Sequence, residues 1–280
     1  MKRSAVTAWY DAKTDWLLSK YGPGPRIHFH TSLAPLAGEA ASDEAGLRRQ
    51  IVGAQEAMLV RAGEVWASGR GRLSGELVDV GCGLGGSALF FASSPDCSVT
   101  AVSPVPRHLA LVRELAARGG LPGRVTTELS DAHALPGEAR FDHGYSVDAT
   151  SYFDRPTWFR TMHRLLRPGG RLGISDTFVE DASLAPKFND YWLADVGTPA
   201  SYVEAAREAG FRLVADEDVS DASGAFYDLS VAHSRALLAQ GGLDEAGLAK
   251  RRRSIAWQSE FADAFRARRF RGLILAFERA

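Results

Sequence analysis

Leu77-Val78-Asp79-Val80-Gly81-Cys82-Gly83-Leu84-Gly85-Gly86-Ser87 is the stretch on which the reading of this chain turns. An apolar run leads to an acid, then to glycines at every second position. An apolar, helix-like segment follows, Ala88 to Ala92. That pattern is a buried strand entering a tight turn and continuing into a helix. Glycines let the backbone turn sharply and let a ligand lie against the main chain. The helix start beyond them offers free N–H groups and a positive dipole end.

From this stretch onward strands and helices alternate. Leu77–Val80 is the first predicted strand and Val99–Val102 the second. A helix over 105–118 follows, with Leu109, Val112, Leu115 and Ala116 on its buried side. Further strands are expected at Arg124–Thr127, Phe141–Val147, Arg171–Ser175 and Phe211–Ala215, and a last apolar run at Leu273–Phe277. Asp154 caps a helix that Arg155 opens, and Thr198-Pro199 starts another over 200–209. Such alternation predicts an α/β fold with mostly parallel strands and helices on both faces. In sheets of this kind the ligand sits at the carboxyl ends of the strands, where the strand order reverses.

Upstream, residues 1–70 read as a helical cap. Trp9, Tyr10, Trp16 and Leu17 share one helical stripe, and Leu47, Ile51, Ala54, Met58, Ala62 and Val65 share another. Residues 71–218 are the expected ligand-binding core, and 219–280 lid helices plus the last strand, all within a single domain over 1–280. Residues 177–198 and 219–270 interrupt the strand–helix rhythm, and long connections of this sort are usually lids or substrate walls.

Composition excludes several partners. A formal net charge of −1 offers no broad field for nucleic acid. No apolar run reaches the roughly 18 residues of a membrane span. The start, Met1-Lys2-Arg3-Ser4-Ala5-Val6, has no apolar secretion core behind it, and Cys82 and Cys97 supply neither a disulfide framework nor a metal site. A cytoplasmic protein acting on a small molecule, as monomer or homo-oligomer, with no resident metal, is the expectation.

A glycine turn after a first strand also suits a dinucleotide. Here the third glycine follows the second by two residues, so the spaced dinucleotide fingerprint is absent. Asp79 stands two residues before the first glycine, where a carboxylate suits an ammonium better than a pyrophosphate. The second strand ends on Ser103 rather than on the acid that holds a dinucleotide ribose.

With these features, Val78–Gly86 resembles the first motif of class I S-adenosylmethionine-dependent methyltransferases. Ser130-Asp131-Ala132 before Leu135-Pro136 is similar to the adenine-contacting motif, Phe141-Asp142 to Ser146-Val147-Asp148 to the fourth strand, and Leu165–Leu172 to the turn before strand five. The family implies a Rossmann-like seven-stranded sheet whose last strand is antiparallel, S-adenosylmethionine as cofactor and S-adenosylhomocysteine as product. Carried over, Asp79, Gly81, Gly83 and Gly85 hold the methionine part, Ser103 lies by the ribose, Asp131 and Ala132 meet the adenine, and Ser146 adds a cofactor contact.

Val102-Ser103-Pro104-Val105-Pro106-Arg107-His108 and His28-Phe29-His30 further resemble the subgroup of tocopherol, sterol and prenyl-diphosphate C-methyltransferases. That subgroup has a glutamine where this chain has His108, which takes the ribose-side place here. The resemblance implies methylation of a specialised metabolite. An isoprenoid or prenyl-diphosphate carbon leads, and magnesium would accompany a diphosphate. Alternatives are N- or O-methylation, a non-catalytic cofactor-binding module and, from another class, an NAD(P)-dependent oxidoreductase.

A sulfonium methyl is already electrophilic, so orientation supplies much of the rate. An oxygen nucleophile needs a base. An alkene carbon leaves a carbocation that needs aromatic faces and a proton acceptor. Asp148, at the end of the fourth strand, is the leading candidate base, with His28 and His30 as others. Tyr152, Phe188, Tyr191, Trp192 and Tyr227 are the candidate substrate walls. Arg26 is the candidate cation for an acidic acceptor, with Arg155 and Lys187 nearby.

Overall fold

A computed structural model describes residues 3–35 and 40–280; Met1 and Lys2, where the leader reading begins, lie outside it. Two long helices, α1 (Arg3–Tyr21) and α2 (Glu44–Trp66), come first. Then follow β1 (Gly75–Val80), α3 (Gly86–Ala92), β2 (Cys97–Ser103), α4 (Pro106–Arg118), β3 (Val125–Leu129) and β4 (Phe141–Val147). Next are α5 (Arg155–Leu165), β5 (Leu166–Val179), α6 (Ala185–Trp192), α7 (Pro199–Glu208), β6 (Phe211–Asp218), α8 (Ser220–Ala239), α9 (Glu245–Arg266) and β7 (Phe270–Arg279). The predicted caps are present: the Asp154 side chain accepts from Thr157 N and that of Thr198 from Ser201 N.

The seven strands run in the order β3-β2-β1-β4-β5-β7-β6. β1 to β5 pair in parallel, and β7 is antiparallel to both its neighbours, β5 and β6. The order reverses at β1, between β2 and β4, so the glycine turn lies at the switch point.

Strand alternation sets the two faces. Val78, Val80, Leu172 and Ile174 share one core with Trp158, Phe159 and Met162 of α5. Leu77, Val99 and Ala101 share the other with α2, α3 and α4. Truncating Trp158, which is fully buried, would cost about 3–5 kcal/mol. Gly173 has a steric purpose here, because a Cβ on it would lie 2.3 Å from the Trp66 ring.

Two expectations change. Residues 1–70 are not uniformly a cap. Met58, Leu59, Ala62 and Trp66 of α2 pack directly on the sheet, because the apolar face of that helix is long enough to serve as a core layer. β5 also runs past Ser175 to Val179, since β7 pairs with it as far as Val179–Phe270. Its extension carries Asp176 and Thr177 to the carboxyl edge of the sheet.

Candidate active site

Three compartments line up along that edge. The first is walled by Ser130, Asp131, Ala132 and His133. The second, about 780 Å³ of empty space, is walled by Gly81–Leu84, Ser103, Val105 and His108. The third, about 640 Å³, is walled by Phe188, Trp192, Phe226 and Tyr227, with Asp148 and Asp176. The first two share Gly81, Pro104 and Phe153. The second and third share Tyr10, Phe29, His30, Asp148 and Tyr152.

The second compartment is a cradle of main chain. Gly81 has φ +82°, and a Cβ on it would lie 2.6 Å from Ala149 Cβ. A Cβ on Gly86 would meet His28 Nδ1 at 2.5 Å and the Ile27 carbonyl at 2.8 Å. Gly85 (φ +85°) does not line the cavity; its missing Cβ admits Val112 of α4. Ser103 Oγ accepts from Val105 N at 3.1 Å and so fixes the turn into α4. Thr14 donates to the Tyr10 carbonyl and lies 3.1 Å from His108 Nε2, so Nε2 carries the hydrogen that Thr14 accepts. Burial lowers the His108 imidazole to about 4, which keeps it neutral.

At the first compartment His133 Nε2 accepts from Asp154 N at 2.8 Å, and its Nδ1 lies 2.5 Å from Asp131 Oδ1. The proton is therefore on Nδ1, and His133 orients the carboxylate. This geometry suits a long ligand with an amino-acid end, a ribose and a flat base. The glycine cradle, the ribose-side hydroxyl and histidine, and the oriented Asp131 fit S-adenosylmethionine.

Three residues expected at the cofactor are elsewhere. Asp79 lines none of the three compartments. It accepts from Ser87 Oγ at 2.6 Å and from the Ala88 N–H, bracing the start of α3, and burial pushes its carboxyl up to about 7. Ser146 is fully buried and donates to the Val80 carbonyl at 2.8 Å, tying β4 to β1. Gly85 serves packing, as above.

The shared wall holds two buried carboxyls. Asp148 has φ +47°, an uncommon conformation for a residue with a side chain. The Thr31 N–H donates to its Oδ2. Burial raises its carboxyl to about 6. Asp176, fully enclosed, is raised to about 7 by burial and then by the Asp148 charge. Thr150 N and Oγ1 donate to Asp176 Oδ2 at 2.8 and 2.5 Å. Two carboxyls in one buried site do not both ionise readily, so a proton is held at this wall. Above it, Tyr152 donates to the Trp192 carbonyl at 3.1 Å, leaving Tyr10 to donate to Tyr152 Oη at 2.8 Å.

The histidines do not act as the sequence suggests. His30 lines both cavities, but its Nδ1 lies 2.8 Å from the Thr31 carbonyl and its Nε2 3.3 Å from His28 Nδ1. Burial lowers His30 to about 3 and His28 to about 4. His28 lies behind His30, facing Glu56 at 3.4 Å, and lines no cavity. Both histidines are neutral wall supports with their ring nitrogens engaged by protein.

Arg26, Arg155 and Lys187 are also displaced from the site; they pair with Glu56, Asp195 and Glu260. Tyr191 packs behind the wall, on Trp192 and Trp257 at 4.8 and 4.7 Å. Tyr152, Phe188, Trp192 and Tyr227 do line the third cavity. Sequence reasoning missed Asp176, Tyr10 and Thr31. Asp176 was within reach, one residue past the predicted end of strand five, where ligands sit. Nothing in the sequence marked Tyr10 or Thr31.

The sheet order, the glycine cradle at its switch point and the three joined compartments define a class I S-adenosylmethionine-dependent methyltransferase. The region around the cradle carries the methyltransferase domain of that family, and S-adenosylmethionine is its cofactor. Residues 77–170 match the family model described as a methyltransferase domain. An O-methyltransferase, rstn1, of Aspergillus nomiae is 28% identical over 61% of this chain and 78% of its own length. Other curated relatives are matched over about half their length or less. Among solved structures, a geranyl diphosphate methyltransferase in complex with GPP and sinefungin superposes with TM-score 0.80, covering 99% of both chains at 17% identity. A [4+2]-cyclase, SpnF, superposes with TM-score 0.74, covering 98% of this chain and 94% of its own, at 24% identity. Among the described residues, no helix is long and apolar enough to cross a membrane, and no three His, Cys, Asp or Glu gather to hold a metal.

Proposed function

We propose that the chain methylates a hydroxyl oxygen of a small, largely apolar metabolite, with Asp148 as the proton acceptor. One observation carries this: Tyr10, Phe29, His30, Asp148 and Tyr152 wall both the cofactor cavity and the acceptor cavity. A nucleophile held against that wall lies between the methyl donor and the carboxylate. S-adenosylmethionine supplies a methyl group activated by its sulfonium. The remaining work falls to this chain: to align the acceptor, exclude water and take one proton.

Asp148 suits the last task. Its carboxyl, raised to about 6, is ionised at neutral pH yet more basic than an exposed aspartate. Thr31 N–H fixes one oxygen. Phe29, Phe188, Trp192 and Phe226 orient an apolar body, and Tyr10 and Tyr152 hydrogen-bond to each other. The O-methyltransferase name of the Aspergillus relative supports oxygen as the acceptor.

Methylation of an isoprenoid carbon is the second reading, favoured by the aromatic faces around the same cavity, which would stabilise a carbocation. Turnover with methyl-labelled S-adenosylmethionine across phenols, alcohols and prenyl diphosphates separates the two. The proposal expects the label on oxygen; label found only on carbon overturns it.

A further inference from the structure

Four cations surround the Trp16 indole near the end of α1. Lys13 Nζ, Lys20 Nζ, Lys250 Nζ and Arg251 Cζ lie 5.4, 5.8, 4.9 and 5.4 Å from its ring centroid. Among the described residues, none of the four has a carboxylate within 4.0 Å, although most surface cations of this chain do. Lys20 is fully buried and Arg251 is 4% exposed. Arg251 Nε and Nη1 have no hydrogen-bond partner. Among the described residues, Lys20 Nζ has only the Ser230 hydroxyl as hydrogen-bond partner, at 3.1 Å.

Buried charges are normally paired. Here burial and the neighbouring cations together lower the Lys13 and Lys20 amines to about 7. An anion beside the cluster would restore the charge that burial takes from these amines, and the Arg251 guanidinium has no carboxylate partner among the described residues. Tyr21, Ser230 and Gln258, which adjoin it, line the acceptor cavity but not the cofactor cavity. Gln258 sits two helical turns beyond Arg251 on α9. These three residues are where the cluster comes up against the acceptor cavity; Lys20 and Arg251 stand behind them and do not themselves line it.

We infer that the part of the cavity lined by Tyr21, Ser230 and Gln258 receives an anionic group carried by the acceptor, a carboxylate or a phosphate ester, with Lys20 and Arg251, directly behind that lining, as its counter-ions. The inference rests on reading the third compartment as the acceptor site. Arg26, Arg155 and Lys187, each already paired with a carboxylate, have no such vacancy.

Calorimetry on the full chain saturated with S-adenosylhomocysteine tests it, with octanol, octanoate and octyl phosphate as probes. Octanoate or octyl phosphate should bind at least about tenfold tighter than octanol, a difference of roughly 1.4 kcal/mol. The tighter of the two names the source of the charge. Lys20→Met and Arg251→Met each keep the apolar stem, and each should remove most of that preference while leaving S-adenosylhomocysteine affinity unchanged. Arg251→Met removes a buried charge that has no carboxylate partner among the described residues, so it should melt at or above the wild-type temperature. Equal binding of all three probes, or a preference that survives both substitutions, overturns the inference and leaves the acceptor cavity standing. Failure of every probe to bind overturns both.

Discussion

The cofactor side and the acceptor side of this molecule each contain a buried aspartate at the end of a central strand, and the two behave differently. Asp79 is enclosed by Ser87 and Ala88 from the very next element and lines none of the three compartments. Asp148 is held by Thr31, 117 residues away in sequence, and lines two cavities. Asp79 braces a loop whose backbone lines the second cavity. Asp148 presents its side chain to whatever the cavity holds. A binding site made of main chain is local in sequence; one made of side chains is gathered from afar.

The largest effect expected from breaking this contrast is on the cofactor side. Gly81→Ala forces a Cβ to within 2.6 Å of Ala149 Cβ at φ +82°. S-adenosylhomocysteine affinity, measured by calorimetry, should fall by about a hundredfold or more, since contact distances in a cradle of this kind are not adjustable. An unchanged Kd would show that the loop is not the cradle.

Asp79→Asn sharpens the contrast. The Asp79 carboxyl is raised from 3.8 to about 7, so the folded state keeps a proton that the unfolded chain has released. Its contribution to stability is fully present below about pH 4 and is lost as pH rises through 7. The neutral asparagine removes that loss. The variant should melt higher than wild type at pH 8, by at least about 2 °C, with a smaller difference at pH 5. The reverse ordering would mean that the Asp79 charge is compensated.

Arg26→Ala is the smallest. Arg26 pairs with Glu56 at 2.7 Å on a part-exposed surface, and such pairs are worth about 0–1 kcal/mol. KM for the acceptor should stay within about twofold of wild type. A tenfold rise would return Arg26 to the substrate site.

The same contrast explains what could be read in advance. The glycine turn, Ser103 and Asp131 belong to short continuous motifs, and their places at the strand ends follow from the alternation of strands and helices alone. The acceptor site draws Tyr10 from α1, Thr31 from the segment after it, Asp176 from β5 and Tyr227 from α8. No local pattern links these residues. Ser146 and Asp79 misled because a motif fixes which residues recur at a site, not which way each side chain points along a pleated strand. Arg26 misled because proximity in sequence to a motif hides a carboxylate partner on another helix. Lys20 and Arg251, which have no such partner among the described residues, come from opposite ends of the chain.

The most direct test of Asp148 as the proton acceptor is a paired measurement on Asp148→Asn: kcat for an accepted hydroxyl substrate and Kd for S-adenosylhomocysteine. Loss of a general base should lower kcat by about two to four orders of magnitude, with Kd within about twofold of wild type. Unchanged kcat, or a fall in kcat matched by lost cofactor affinity, would contradict the assignment.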